Sequence, residues 1–300
     1  MTSISEERAA RLRLEPMRTT GPKPGLAAGT AAQMKEIWQH RELLNMLIRR
    51  ELKSRYKDSA LGFVWSLLRP LALLLIYFVA LGQFLGAARQ IPDFAVFIYT
   101  GLTAWGLFSE AVTTGSASIV NNGGLIKKVY LPREIFPLSA LGSSLFSFAI
   151  QLMILFTATI VVGDVPTGSK WLYLPLSLAV IIVTALGWSL LLSAVNVYLR
   201  DVTYLVEIAL MIAFWASPIV YSWALVQDKA SPLLEQIYLT NPMTVAVMGF
   251  QQTFWMAGRD QPVPENLGTL LGIWLAVGIV FVWVAQRVFV RLQGNFAQEL

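Results

Sequence analysis

Cysteine is absent, histidine occurs once, and only 14% of the 300 residues are charged. Without cysteine there is no disulfide framework, no thiolate metal site and no cysteine nucleophile. The single His40 stands among Gln39, Arg41 and Glu42 and reads as a solvated or interfacial side chain, so no metal site is expected. Asp228, Asp260 and Glu265 are scattered, and no D-D or D-x-D cluster supplies the paired carboxylates that a lipid glycosyltransferase would need. A nucleotide-binding loop of the form G-x-x-x-x-G-K-[ST] is missing as well. The nearest approach, GDVPTGSK from Gly163 to Lys170, puts Ser169 before the lysine and reads as a turn. Enzyme activity is therefore not expected in this chain.

The shortage of charge also excludes an ordinary soluble domain, where about 25% of residues are charged. Hydrophobic residues make up 56% and fall in blocks. Uncharged runs cover 70–88, 135–163, 171–199, 208–227, 236–258 and 266–286, and only Glu110 breaks the run 94–126. A nineteen-residue helix is roughly 28 Å long, close to the hydrocarbon thickness. A transmembrane barrel would show alternating segments of about ten residues instead. The expected fold is an all-α integral membrane protein with six transmembrane helices, near 67–88, 94–118, 138–163, 171–197, 203–226 and 266–288. Residues 1–33 read as a flexible cytoplasmic tail, and 34–300 as the transmembrane domain.

Of the 23 Lys and Arg residues, nineteen then fall on the side of the N-terminus. Only Arg89, Lys170, Lys229 and Arg259 fall on the other. The positive-inside rule makes both termini cytoplasmic. The run 236–258 is interrupted by Asn241-Pro242 and leaves too short an apolar piece to cross. The stretch 232–258 is expected to be an external re-entrant helical hairpin, buried in protein or facing water.

Two basic segments flank the first two spans. In RRELKSRYKDSALGFVWSLLRP, Arg49, Arg50, Lys53, Arg55 and Lys57 crowd a region that passes straight into an apolar helix. Met34, Ile37, Leu44, Ile48 and Leu52 recur at helical steps, which predicts an amphipathic interface helix over 34–58. It is either an anchor for the first span or a lever for a cytoplasmic partner. Pro70 fits the first turn of the following helix. After span two, NNGGLIKKVYLPREIFPLS holds a short apolar set between breakers. Leu125, Ile126, Lys127, Lys128, Val129, Tyr130, Arg133 and Glu134 are candidates for docking a partner, the alternative being a loop lying on the membrane.

RYKDSALGFVWSLLRPL, NNGGLIKKVYLPREIFPLS, NVYLRDV and YLTNPMTVAVMGFQQTFW, in this order, resemble membrane subunits of type-2 ABC exporters. The resemblance runs from about Gln33 onward and is strongest to the Wzm-like permeases that export O-antigen, teichoic acid, capsule or galactan. It implies a homodimer above two copies of a separate ABC ATPase, which would bind MgATP, while this chain carries no cofactor. It implies a lipid-linked polysaccharide substrate, a place in the bacterial cytoplasmic membrane, and no nucleic acid partner. It also makes 34–58 the interface helix and Leu125–Glu134 a cytoplasmic coupling helix.

A glycan needs a polar or aromatic path, because each unpaired hydroxyl in hydrocarbon costs kcal/mol. Candidate channel-lining residues are Tyr77, Phe84, Glu110, Tyr204, Phe214, Tyr221, Phe250, Phe254 and Trp255. Aromatic residues also serve as interfacial belts and helix packing. Glu110 and Glu207 either pair structurally, Arg200 being one partner, or line the inner pore mouth. A type-2 exporter of a drug or lipid is the alternative function. A secondary transporter fits less well, since it would need ionisable groups near the midplane.

Overall fold

A computed structural model describes residues 26–56, 64–129, 131–163 and 165–300. The regular structure among the described residues is all helical, with no strand. Most of the proposed tail, Lys57, Tyr130 and the junction between the basic and apolar segments lie outside them.

The helices are α1 (Leu26–Gln39), α2 (Arg41–Tyr56), α3 (Val64–Tyr77), α4 (Phe94–Asn121), α5 (Gly123–Ile126), α6 (Ile135–Val162) and α7 (Tyr173–Tyr198). They continue with α8 (Val202–Trp215), α9 (Trp223–Lys229), α10 (Pro232–Leu239), α11 (Pro242–Phe254), α12 (Leu267–Leu292) and α13 (Phe296–Glu299). The helix expected over 34–58 is divided at His40 into α1 and α2. Met34 and Trp38 on α1 are exposed, and α1 belongs to a separate unit that ends at Gln39.

In the unit from His40 onward, α7 packs against both α4 and α12, α6 packs on α4, and α2 lies along α6. The α4–α7 seam is built from small residues. Ser189 Oγ donates to the carbonyl of Ala111 at 3.0 Å, and Asn196 Nδ2 donates to the carbonyl of Ser116 at 3.0 Å. Gly115 faces Ser189 so closely that a Cβ there would meet the serine side chain. Apolar helix faces gain little from leaving lipid for each other, so small residues and interhelical hydrogen bonds carry the contact. Gly115→Ala is expected to cost about 1–2 kcal/mol by overpacking. Adding Ser189→Gly should recover most of it, and equal unfolding midpoints for wild type and Gly115→Ala in detergent would show the seam to be loose.

Four helical segments are long and apolar enough to cross a membrane: Phe94–Asn121, Ile135–Val162, Ser169–Tyr198 and Leu267–Glu299. The chain is a multi-pass membrane protein. The fifth expected span is shorter than the sequence implies, while the first is helical without a break from Val64 to Phe84. The α3 helix runs into a π-helical stretch, Phe78–Phe84. The expected span 203–226 ends as α8 at Trp215, a length of roughly 21 Å against about 30 Å of hydrocarbon. The reason lies in α11. Its side chains receive the carbonyls that the break leaves free: Asn241 Nδ2 donates to Ala216 at 3.2 Å, and Gln251 Nε2 donates to Pro218 at 2.7 Å. Irregular backbone at membrane depth requires such partners.

The pair α10–α11 begins as the dipeptides Ser231-Pro232 and Asn241-Pro242 prescribe. Each proline takes the first helical turn, and each preceding side chain caps it, Ser231 accepting from Leu234 N at 3.4 Å and Asn241 from Met243 N at 3.0 Å. Every residue from Met243 to Phe254 is buried.

Candidate functional site

Between α4 and α6 the coupling helix expected over Leu125–Glu134 is a single turn, α5, followed by turns. Four residues are too few for a helix to hold itself. Asn122 organises the entry, its Nδ2 donating to the Ser118 carbonyl at 2.8 Å and its backbone carbonyl accepting from Leu125 N and Ile126 N at 2.9 and 3.1 Å. Arg50 of α2 donates to its side-chain oxygen. Ile126 and Glu134 point inward and are buried, as are Ile135 and Phe136. Leu125 is partly buried. Lys127, Lys128 and Val129 are exposed. A shallow cleft of about 200 Å³ is lined by Ile126, Lys127, Lys128, Val129, Leu131 and Arg133. Of the docking residues read from sequence, the structure therefore leaves Lys127, Lys128 and Val129 outward, while Ile126 and Glu134 hold the loop to the bundle.

The basic helix α2 reaches into the bundle. Arg55 forms an ion pair with Glu110, well inside α4. Ser147 Oγ of α6 donates to the same carboxylate oxygen at 3.2 Å, and Ser143 Oγ lies 3.5 Å from the Arg55 guanidinium. Ile48 packs where Gly142 leaves room on α6. Glu110 thus pairs structurally, with Arg55 rather than Arg200. Arg49, Arg50 and Lys53 are exposed. Glu207 is exposed on α8, and no ion pair to it forms among the described residues.

The aromatic candidates divide into two groups. Phe250, Phe254 and Trp255 are buried within this chain. Phe250 meets Phe148 edge-on at 6.0 Å, Phe254 meets Trp171 at 6.2 Å, and Trp255 meets Phe97 at 4.7 Å while its Nε1 donates to the Pro92 carbonyl at 2.7 Å. In this structure they are core, and the expectation that they face a passage is not met within the chain. The other group is more open. Tyr77 stacks on Phe214 at 6.0 Å, and Tyr221 bonds to Tyr238 and donates to the Trp215 carbonyl. Tyr204 is 68% exposed and Phe84 83%. Around them α3 and α8 present Leu75, Ile76, Ile208 and Ile212 outward. Among the described residues, no three His, Asp or Glu side chains are grouped to hold a metal ion.

Two features escaped the sequence reading. The small-residue spacing Ala111/Gly115 and Ser189/Ser193 was available as a signal for close helix packing. Phe296, which is fully buried beside the 123–134 loop, carries no periodic signal at all.

Residues 42–255 match the family model described as "ABC-2 type transporter". The chain is 31% identical over 268 residues to the O-antigen export system permease protein RfbA of Myxococcus xanthus, a match covering 89% of this chain and 98% of that protein. It is 28% identical over 260 residues to a protein of the same description from Klebsiella pneumoniae, covering 86% and 95%. The polysialic acid transport protein KpsM of Escherichia coli is 26% identical over 178 residues, covering 58% of this chain and 68% of KpsM.

Proposed function

The chain belongs to the ABC-2 type transporter family, and on that premise we propose that it is the membrane-spanning subunit of an exporter that moves lipid-linked polysaccharide across the bacterial cytoplasmic membrane. The observation that carries this reading is the near full-length similarity to O-antigen export permeases. Two copies of the chain form the passage. Two copies of a separate ATPase bind MgATP and drive it, since this sequence has no nucleotide-binding loop. There are six crossings, α8 being a short one, with both termini cytoplasmic and α10–α11 entering from outside.

The outward faces of α3 and α8 form the seam between copies. Lipid alone would suit their leucines and isoleucines. Exposed Glu207 and Tyr204 argue instead for a polar space between protomers, because a lone carboxylate facing acyl chains costs about 2.5–3.5 kcal/mol. ATPase closure pushes on Lys127, Lys128 and Val129, and α2, tied to α4 through Arg55–Glu110, moves with the bundle. The α3–α8 seam opens, and the glycan passes along Tyr77, Phe84, Tyr204, Phe214 and Tyr221.

Depleting the chain in its host should leave lipid-linked polymer on the cytoplasmic side of the membrane, detected by protection from added glycosidase in right-side-out vesicles. Normal surface polymer after depletion would remove the proposal. Replacing both Lys127 and Lys128 by Asp should lower export by about tenfold through loss of electrostatic docking, with the chain still at its normal level in the membrane. Unchanged export in that variant would take the exposed loop out of the ATPase contact.

A further inference from the structure

We infer that the segment 293–300, acting through Phe296, positions the 123–134 loop for its ATPase partner; the inference rests on the docking role proposed above. The loop cannot hold its own shape. Its helical part is one turn, and its outer residues are exposed. Something must brace it if force is to pass from the loop into the long helices.

The chain supplies that brace from 160 or more residues further on. After α12 a short 3₁₀ turn, Gln293–Asn295, redirects the backbone, and α13 brings Phe296 back under the loop. Phe296 is fully buried in a cluster with Ile126, Ile135, Phe136 and Phe289. Phe289 stands perpendicular to it at 5.5 Å, and Tyr198 at the end of α7 meets its edge at 6.2 Å. The Arg133 guanidinium lies over the same ring, 5.6 Å from its centroid, a cation–π contact from the far end of the loop. Leu300 covers the near end, since a Cβ at Gly123 would sit 3.5 Å from the Leu300 side chain. Tyr198 Oη donates to the Leu292 carbonyl at 2.7 Å and fixes the point where the chain turns back. One short segment therefore grips the loop at Gly123, Ile126 and Arg133, and joins it to α7 and α12. Phe296 is a positioning residue, not a docking residue, because none of it is exposed to a partner.

The test uses the purified full chain in detergent and the reconstituted complex with the ATPase. Exposed Lys127 and Lys128 are tryptic sites within the loop, and Lys229, also exposed, is a distant reference. Phe296→Ala should speed cleavage at Lys127 and Lys128 by about tenfold or more relative to Lys229, as local opening becomes easier. Phe296→Leu, which keeps apolar volume, should restore most of the protection. In vesicles, polymer exported per ATP hydrolysed should fall in Phe296→Ala while ATP hydrolysis persists. Equal acceleration at all three lysines, or unchanged export per ATP, would overturn the inference. A wild-type complex that exports no polysaccharide would instead defeat the proposed function, and the cleavage comparison would still report on the brace.

Discussion

Phe250→Ala lowers the stability of the chain by about 3–5 kcal/mol, the cost of removing a fully buried ring from a packed interior. Phe250 has no exposed surface and sits between Phe148 and Phe254 in the largest buried cluster, where α11 meets α4, α6 and α7. Those helices cannot close the gap, because hydrogen bonds from Asn241 and Gln251 hold α11 to the break after α8. The expected result is a large drop in the unfolding midpoint in detergent. Tyr204→Ala, at a side chain 68% exposed, should change stability by no more than about 0.5 kcal/mol and act on export instead. If Phe250→Ala altered export with a wild-type midpoint, the ring would belong to the passage rather than the core.

The second large effect is at Arg55–Glu110. Glu110→Ala strands a guanidinium among helices, and Arg55→Ala strands a carboxylate that, among the described residues, Ser147 alone still serves. Breaking one side of a fully buried pair costs about 3–5 kcal/mol. Both side chains here are a quarter exposed, so water offsets part of the loss and about 2–3 kcal/mol is expected. Replacing both by Met should cost less than either single alanine, since no charge is then left alone. A double-mutant cycle should give a coupling of about 1–3 kcal/mol. A coupling indistinguishable from zero would mean that α2 is held by its other contacts, Arg50 on Asn122, Ile48 on Gly142 and the buried Leu47, rather than by the ion pair.

These two sites show how far the sequence could be read. Blocks of uncharged residues separated by Lys and Arg are one-dimensional signals, and they located the long helices to within a few residues. Asn241-Pro242 was legible for the same reason, as a local cap and a local proline. The end of α8 was not. Whether an apolar run continues as helix depends on whether another element can take up the freed carbonyls, and for Ala216 and Pro218 that element lies 25 to 33 residues away. The break at His40 falls beside Arg41, which interrupts the apolar stripe, but one charged position on a helix face does not by itself mark a break.

The site residues divide on similar lines. Exposure of Lys127 and Lys128 follows from charge beside breakers. The inward turn of Ile126 follows from the Phe296 cluster, which depends on the chain returning after α12. Aromatic content marked α11, but an aromatic side chain is equally suited to a core and to a sugar-lined passage, and only packing against Phe148 and Trp171 distinguished them.

Alone, the amino-acid sequence determined that this chain lives in a membrane, which stretches are long apolar helices, and that it holds no nucleotide-binding loop, because those properties reside in the composition of contiguous segments. Tertiary structure alone decided which partner Glu110 takes, which aromatics are core, where α8 stops and what supports the 123–134 loop. Each of these is a contact between residues distant in the chain, and its free energy depends on how the helices pack rather than on any local pattern.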